Sequence, residues 1–230
     1  MLMIDADAHV IENESTWECM LESERQFRPK IVGSTNGEAS VEYWLIDGRV
    51  IPWSNVGKDT PKGSREMSDL SARLKHMDEL DVGVQVIYPT FFIFPCTRRP
   101  EVDLALCRSY NRWMADIVKK APDRFNWVVI PPLLSMDRVF EELKFGKENG
   151  ACGVFMRGLE GDRRLSDPYF FPCMKKLASW ICRSAFIRPT GALRCTTSSS
   201  MSLAFASSSW QWWAHFTPSF LTASRRDSPS

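Results

Sequence analysis

Along most of the chain, apolar and polar positions alternate between two periods, strand then helix. Met1-Leu-Met-Ile is a short apolar run, followed by Asp5-Ala-Asp-Ala-His9; it predicts a buried strand with a polar carboxyl end. Over 68–80, Leu70, Leu74, Met77 and Leu80 recur at three or four residues, with His76 off the stripe, which predicts an amphipathic helix. Gly83-Val-Gln-Val-Ile-Tyr88 reads as a strand stopped by Pro89-Thr90, and 104–119 as a helix carrying Leu104, Cys107, Met114 and Val118. Asn126-Trp-Val-Val-Ile130 is a third strand, ended by Pro131-Pro132. Ser135 is placed to cap a helix with Val139, Leu143 and a Gly150 stop, before a fourth strand, Ala151-Cys-Gly-Val-Phe-Met156, that ends at Arg157-Gly158. Nearly all-apolar strands alternating with helices are parallel βα units buried on both faces, here four strands with three crossovers.

Two stretches depart from this rhythm. Residues 13–62 form an excursion after the first strand, with a hairpin signal in Val41-Glu-Tyr-Trp-Leu-Ile, Asp47-Gly48 and Arg49-Val-Ile; it is expected to lie over the end of that strand. From 168 to 226 there is no carboxylate, and this stretch holds serine runs and Trp210-Gln-Trp-Trp213 with no helical or strand period. The earlier part is evenly mixed in charge.

Composition narrows the classes. The formal net charge is +1 and 44% of residues are hydrophobic, as in a soluble domain with no electrostatic case for nucleic acid. Apolar runs such as 84–94 are too short and interrupted to span a bilayer. The opening meets an acid at once and has no basic region, so no signal peptide is expected. Seven cysteines without a Cys-x-x-Cys pair imply reduced, mostly buried thiols and a cytoplasmic location.

The chemistry concentrates at the end of the first strand. Strand alternation points Asp5, Asp7 and His9 to one face, where two carboxylates and an imidazole can converge on a divalent cation; the same residues fit a solvated strand end with a hydrogen-bonded histidine. Arg157 stands where it can pair with a substrate carboxylate or form a structural ion pair. Glu12 either lines the pocket or belongs to the insertion, the second being preferred. Trp17, Trp44 and Trp53 form a lid over an aromatic substrate or, preferably, anchor the insertion.

Ile4-Asp-Ala-Asp-Ala-His9-Val-Ile-Glu12, Arg73-Leu-Lys-His-Met-Asp-Glu-Leu-Asp-Val-Gly-Val-Gln-Val-Ile-Tyr-Pro-Thr90, Tyr110-Asn111, Pro131-Pro132, Gly153-Val-Phe-Met-Arg157 and Ser166-Asp-Pro-Tyr-Phe-Phe-Pro172 together resemble the amidohydrolase-related (amidohydrolase 2) proteins of the aminocarboxymuconate-semialdehyde decarboxylase type. The resemblance covers residues 1–172. It implies an α/β (β/α)8 TIM barrel with its site at the carboxyl ends of the strands, of which this chain would hold an incomplete part. It also implies one Zn or Mn ion held by Asp7, His9, a fifth-strand His and an eighth-strand Asp. Asp7 replaces a first-strand His found in some members and favours a harder ion. The implied activity is decarboxylation or hydrolysis of a carboxylated aromatic or unsaturated small molecule. The ion would acidify a water or polarise a substrate oxygen, and a strand-end Asp or His would move the proton. A homo-oligomer is possible for the intact form.

The fifth-strand His is expected after Pro172 in a Leu-Pro-Ile-x-x-His context, yet the chain reads Ser179-Trp-Ile-Cys-Arg-Ser-Ala-Phe-Ile-Arg188. If each codon begins on the third base of the written one, Trp180 and Ile181 force an Asp. The following junctions permit Leu-Pro-Ile-Cys-Val, and Phe186 with Ile187 permits only His or Tyr. The same shift turns Cys173-Met-Lys-Lys-Leu into a permitted Leu-Tyr-Glu-Glu-Ala, and His215 onward into a family-like helix and strand start. Residues 173–230 are therefore read as an out-of-frame tail. The chain as written is expected to lack two of four ligands, to bind metal weakly or not at all, and to be inactive. The alternative is a non-enzymatic truncated module pairing with an intact paralogue. Resequencing the DNA from the Phe170 to the Arg188 codon is expected to recover one base near Pro172; an unchanged frame removes the fifth-strand His.

Overall fold

The computed structural model describes residues 3–36, 39–52 and 60–179; Trp53 and residues 180–230, which include Trp180 to Arg188, lie outside the described residues. Four strands, β1 (Met3–Val10), β5 (Val82–Pro89), β6 (Phe125–Val129) and β7 (Ala151–Val154), form one sheet in the order β1-β5-β6-β7. Every pairing in it is parallel. Helices α2 (Leu70–Glu79), α3 (Pro100–Val118) and α4 (Met136–Glu148) make the crossovers. This is the α/β arrangement expected from the periodicity, a four-stranded part of a (β/α)8 barrel.

The apolar start of β1 is not buried. Met3 and Ile4 are 52% and 64% exposed, because β1 is the last strand of the sheet among the described residues. Its carboxyl half is enclosed, with Ala8, Val10 and Ile11 buried. In α2, Asp69 caps the helix by accepting from the Ala72 amide at 3.0 Å. The buried face carries Met77 and also Arg73, while Leu80 ends in solvent. Ser135 stands at the cap position of α4, but its hydroxyl donates to the Pro100 carbonyl instead, at 3.1 Å.

The excursion after β1 begins with two short 3-10 turns, Glu14–Trp17 and Glu22–Phe27. An antiparallel sheet follows, made of β2 (Lys30–Asn36), β3 (Ala39–Ile46) and β4 (Arg49–Pro52). The predicted hairpin is β3–β4. Asp47 and Gly48 both have positive φ, 48° and 73°, as a two-residue type I′ turn requires. Strand β2 carried no clear sequence signal; its pairing with β3 supplies the order that its Gly33-Ser-Thr-Asn pattern does not. Asp47 accepts from Thr97 at 2.7 Å and Arg99 at 2.9 Å in the loop after β5. Trp17 and Trp44 are buried against Phe91. Both tryptophans anchor the insertion over the carboxyl end of β5.

Short α1 (Lys62–Arg65) leads back to α2. Beyond β7, a ribbon of β8 (Leu159–Glu160) and β9 (Arg163–Arg164) precedes α5 (Phe171–Ser179). Helix α5 continues past the position of the proposed frame change, and its buried Cys173 and Leu177 lie at helical spacing from Phe170. The five cysteines among the described residues are free.

Helix α4 sits so close to β6 that only glycine fits at 146: a Cβ there would lie 2.7 Å from Val129 Cβ and 2.8 Å from its Cγ2. Alanine in a helix ordinarily gains about 1 kcal/mol over glycine, but overpacking costs about 1–3 kcal/mol. Gly146→Ala is expected to lower stability by about 1–2 kcal/mol, read from the urea midpoint; a raised midpoint would show that Val129 can yield.

Candidate functional site

The carboxyl ends of β1 and β5 meet in one knot of polar contacts. His9 Nδ1 lies 3.0 Å from the Pro89 carbonyl oxygen. A carbonyl can only accept, so Nδ1 carries a proton and donates; in the neutral ring this leaves the lone pair on Nε2. That nitrogen faces Asp7, with Nε2 to Oδ1 at 3.5 Å and side chains 31% and 51% exposed. In the neutral ring a carboxylate oxygen and an imidazole lone pair, both acceptors, face one another at the strand end; in the protonated ring the two form an ion pair.

This donor set fits a divalent ion. Two ligands bound at about 2.1 Å in tetrahedral geometry stand about 3.4 Å apart, close to the Asp7–His9 separation. A backbone carbonyl on the other ring nitrogen is the usual support of a metal-bound histidine. Among the described residues, no group of three His, Cys, Asp or Glu is gathered for a metal.

Asp5 does not join it. The β1–β5 register shifts between Asp5 and Ala8: three steps along β1 match two along β5. Such a bulge breaks alternation. Asp5 Oδ2 instead accepts from Gln85 Nε2 at 3.0 Å, and Gln85 Oε1 accepts from Arg73 Nε at 2.8 Å, which turns Asp5 toward α2. Arg73 also donates through both terminal nitrogens to the His9 carbonyl at 3.1 Å, and to the Ser64 carbonyl at 3.2 Å. Burial lowers its guanidinium to about 10, against the pull of Asp5. Arg73 falls four residues before Met77, on that helix's buried face, a spacing that could have marked it in the sequence.

Glu12 is buried at the head of the insertion and points back into the fold. Its carboxylate accepts from the Thr90 amide at 3.1 Å and the Phe91 amide at 2.8 Å. Desolvation raises its pKa to about 8 in spite of those bonds. Tyr110, whose hydroxyl is buried without a hydrogen-bond partner, is pushed up by burial and by Glu12.

Arg157, read as a substrate partner or a structural ion pair, is found in an ion pair. It pairs with Glu160 through Nε at 2.8 Å and through Nη2, while Nη1 donates to the carbonyls of Phe92 at 2.9 Å and Phe94 at 3.3 Å. Nearby Asp103, missed in the sequence as an ordinary first-turn acid, is raised to about 6 by burial while it accepts from the Leu134 amide.

Solved structures share this fold. An amidohydrolase from Mycobacterium avium subsp. paratuberculosis K-10 superposes with a TM-score of 0.61 at 20% identity, over 80% of this chain and 58% of that one. 4-Oxalomesaconate hydratase, LigJ, from Rhodopseudomonas palustris does so with a TM-score of 0.50 at 17% identity, over 84% of this chain and 54% of that one. The chain thus spans little more than half the length of either. No protein-family model and no curated protein matches it. No helix among the described residues is long and apolar enough to cross a membrane.

Glu12 and Asp103 give the fold a pH dependence of definite sign. Both are acids whose folded pKa is raised, from 4.5 to about 8 and from 3.8 to about 6. Well below their unfolded values of 4.5 and 3.8 both are protonated folded or unfolded, and their stability is fully present. As pH rises, the unfolded chain ionises first, so stability falls from about pH 4 to about pH 8. Urea midpoints across that range are expected to decline, with Asp103→Asn flattening the lower part of the slope; a rise over the same range contradicts the assignment.

Proposed function

We propose that Asp7 and His9 are the first-strand half of a mononuclear divalent-metal centre, and that the chain is part of a metal-dependent amidohydrolase-type enzyme. The observation that carries this reading is the His9 ring, held by the Pro89 carbonyl with Nε2 open and 3.5 Å from the Asp7 carboxylate. The shared barrel fold and the motifs over residues 1–172 support it. The substrate class is a small carboxylated aromatic or unsaturated acid, the reaction decarboxylation or hydrolysis, the ion Zn or Mn, and the location cytoplasmic.

A bound ion in such a centre supplies Lewis-acid charge to a substrate oxygen and acidifies water. The chain's own residues do the rest. Pro89 keeps the proton on Nδ1, Arg73 fixes the His9 backbone, and Glu12 holds the loop after β5. Arg157 acts through the carbonyls of Phe92 and Phe94 as a brace for that loop, with Glu160 neutralising its charge.

The remaining two ligands of the family set have no counterpart among the described residues. Residues 173–230 in the written frame give Phe186 where the family context calls for His. We read the chain as written as inactive. Metal analysis of the purified protein is expected to find well under one Zn or Mn ion per chain, with Asp7→Asn and His9→Ala each reducing the remainder. A chain with the frame restored at the Pro172 codon is expected to carry one ion and turn over a carboxylated substrate. One ion per chain with measurable decarboxylation by the written sequence would sink the inactivity reading.

A further inference from the structure

We propose that Glu12 is a positioning residue for His9, acting through a single peptide unit to decide which imidazole nitrogen is left open. The carbonyl that accepts from His9 Nδ1 belongs to Pro89, and the amide that donates to Glu12 Oε1 belongs to Thr90. These two groups are the two ends of one peptide plane. The plane is rigid and trans, so fixing the direction of its N–H fixes the direction of its C=O.

Both partners come from the same short segment, three residues apart on the chain. β1 and the residue pair after it therefore grip the Pro89–Thr90 peptide from two sides, His9 at the oxygen and Glu12 at the nitrogen. The second Glu12 oxygen takes the Phe91 amide and prevents the carboxylate from swinging with the loop. Pro89 has no amide proton of its own to anchor the turn. The Thr90 hydroxyl, 3.5 Å from His9 Nδ1, is too far to replace the carbonyl. Without Glu12 the peptide is free to tip, and the imidazole can move its proton to Nε2, which closes the lone pair that faces Asp7.

The inference rests on the metal reading above only for its second readout. The first is the tautomer of His9 in the full chain, measured from ring nitrogen shifts of 15N-histidine protein. The chain has three histidines, and the His9 signals are those lost in His9→Gln. The unsubstituted chain is expected to hold His9 protonated at Nδ1. Glu12→Leu removes both acceptors and is expected to lower the ratio of Nδ1-H to Nε2-H by about tenfold or more. Glu12→Gln, which keeps one acceptor oxygen, should fall between. Gly146→Ala, destabilised on the face between α4 and β6, should leave the ratio unchanged, separating positioning from general loss of stability.

The second readout is zinc titration, where Glu12→Leu is expected to weaken binding by about 10–100-fold. Where the written chain, with two ligands missing, binds no zinc, the tautomer ratio alone decides the role of Glu12. An unchanged ratio in both Glu12 variants, or Nε2-H in the unsubstituted chain, overturns the proposal. If Glu12→Leu does not fold, Glu12→Gln decides it alone.

Discussion

A buried carboxyl group, that of Glu12, holds the ends of two neighbouring strands together, and the geometry of the site follows from it. The amides of Thr90 and Phe91 lie at and just past the end of β5, where the β1 ladder stops at Val10 opposite Pro89. Left without acceptors in the interior they would cost about 1–3 kcal/mol each. Glu12 answers both, and its own loss of solvent appears as a pKa near 8. Arg73 closes the grip from α2 by holding the His9 carbonyl. His9 is therefore restrained at its backbone and its ring by different elements, before any ligand is considered.

The scaffold that presents this junction is tied by a second polar system, on α3. Asn111 accepts from the Ile130 amide and donates to the Ile130 carbonyl, both at 2.9 Å. It stands in for a strand neighbour where Pro131 cannot continue the ladder. Glu142 of α4, only 1% exposed, receives Asn111 and pairs with Arg108 and Arg112. Arg108 also reaches Glu24, and Ser109 donates to the Thr16 carbonyl. One helix thus fixes the insertion, β6 and α4 in register. Buried charges of this kind add little net stability but punish the loss of one partner, which suits a contact that selects a single arrangement.

The insertion is an extension of the same logic. Trp17 and Trp44 pack on Phe91, beside the amide that Glu12 holds, and the hairpin tip bonds to Thr97 and Arg99. The loop after β5 is therefore covered by apolar rings, pinned by Glu12 and Asp47 and braced by Arg157, just past the end of β7. Burial of their own carboxyl groups raises the pKa values of Glu12 and Asp103.

Local pattern by itself determined the strands, the crossover helices, their parallel class and the Asp47-Gly48 hairpin, because periodicity and turn residues act within a few positions of themselves. It also singled out Asp7 and His9. It misjudged Asp5, since alternation assumes an unbroken strand and the bulge exists only against β5. It could not show that Met3 and Ile4 stand exposed on the outermost strand among the described residues, that Arg73 is buried, or that Arg157 is claimed by Glu160. It left Glu12 between two roles. Those outcomes depend on which distant backbone group arrives beside each side chain, and the cost of losing water is set only when the neighbours are in place. The sequence chose the donors and acceptors; the tertiary structure decided which of them would meet.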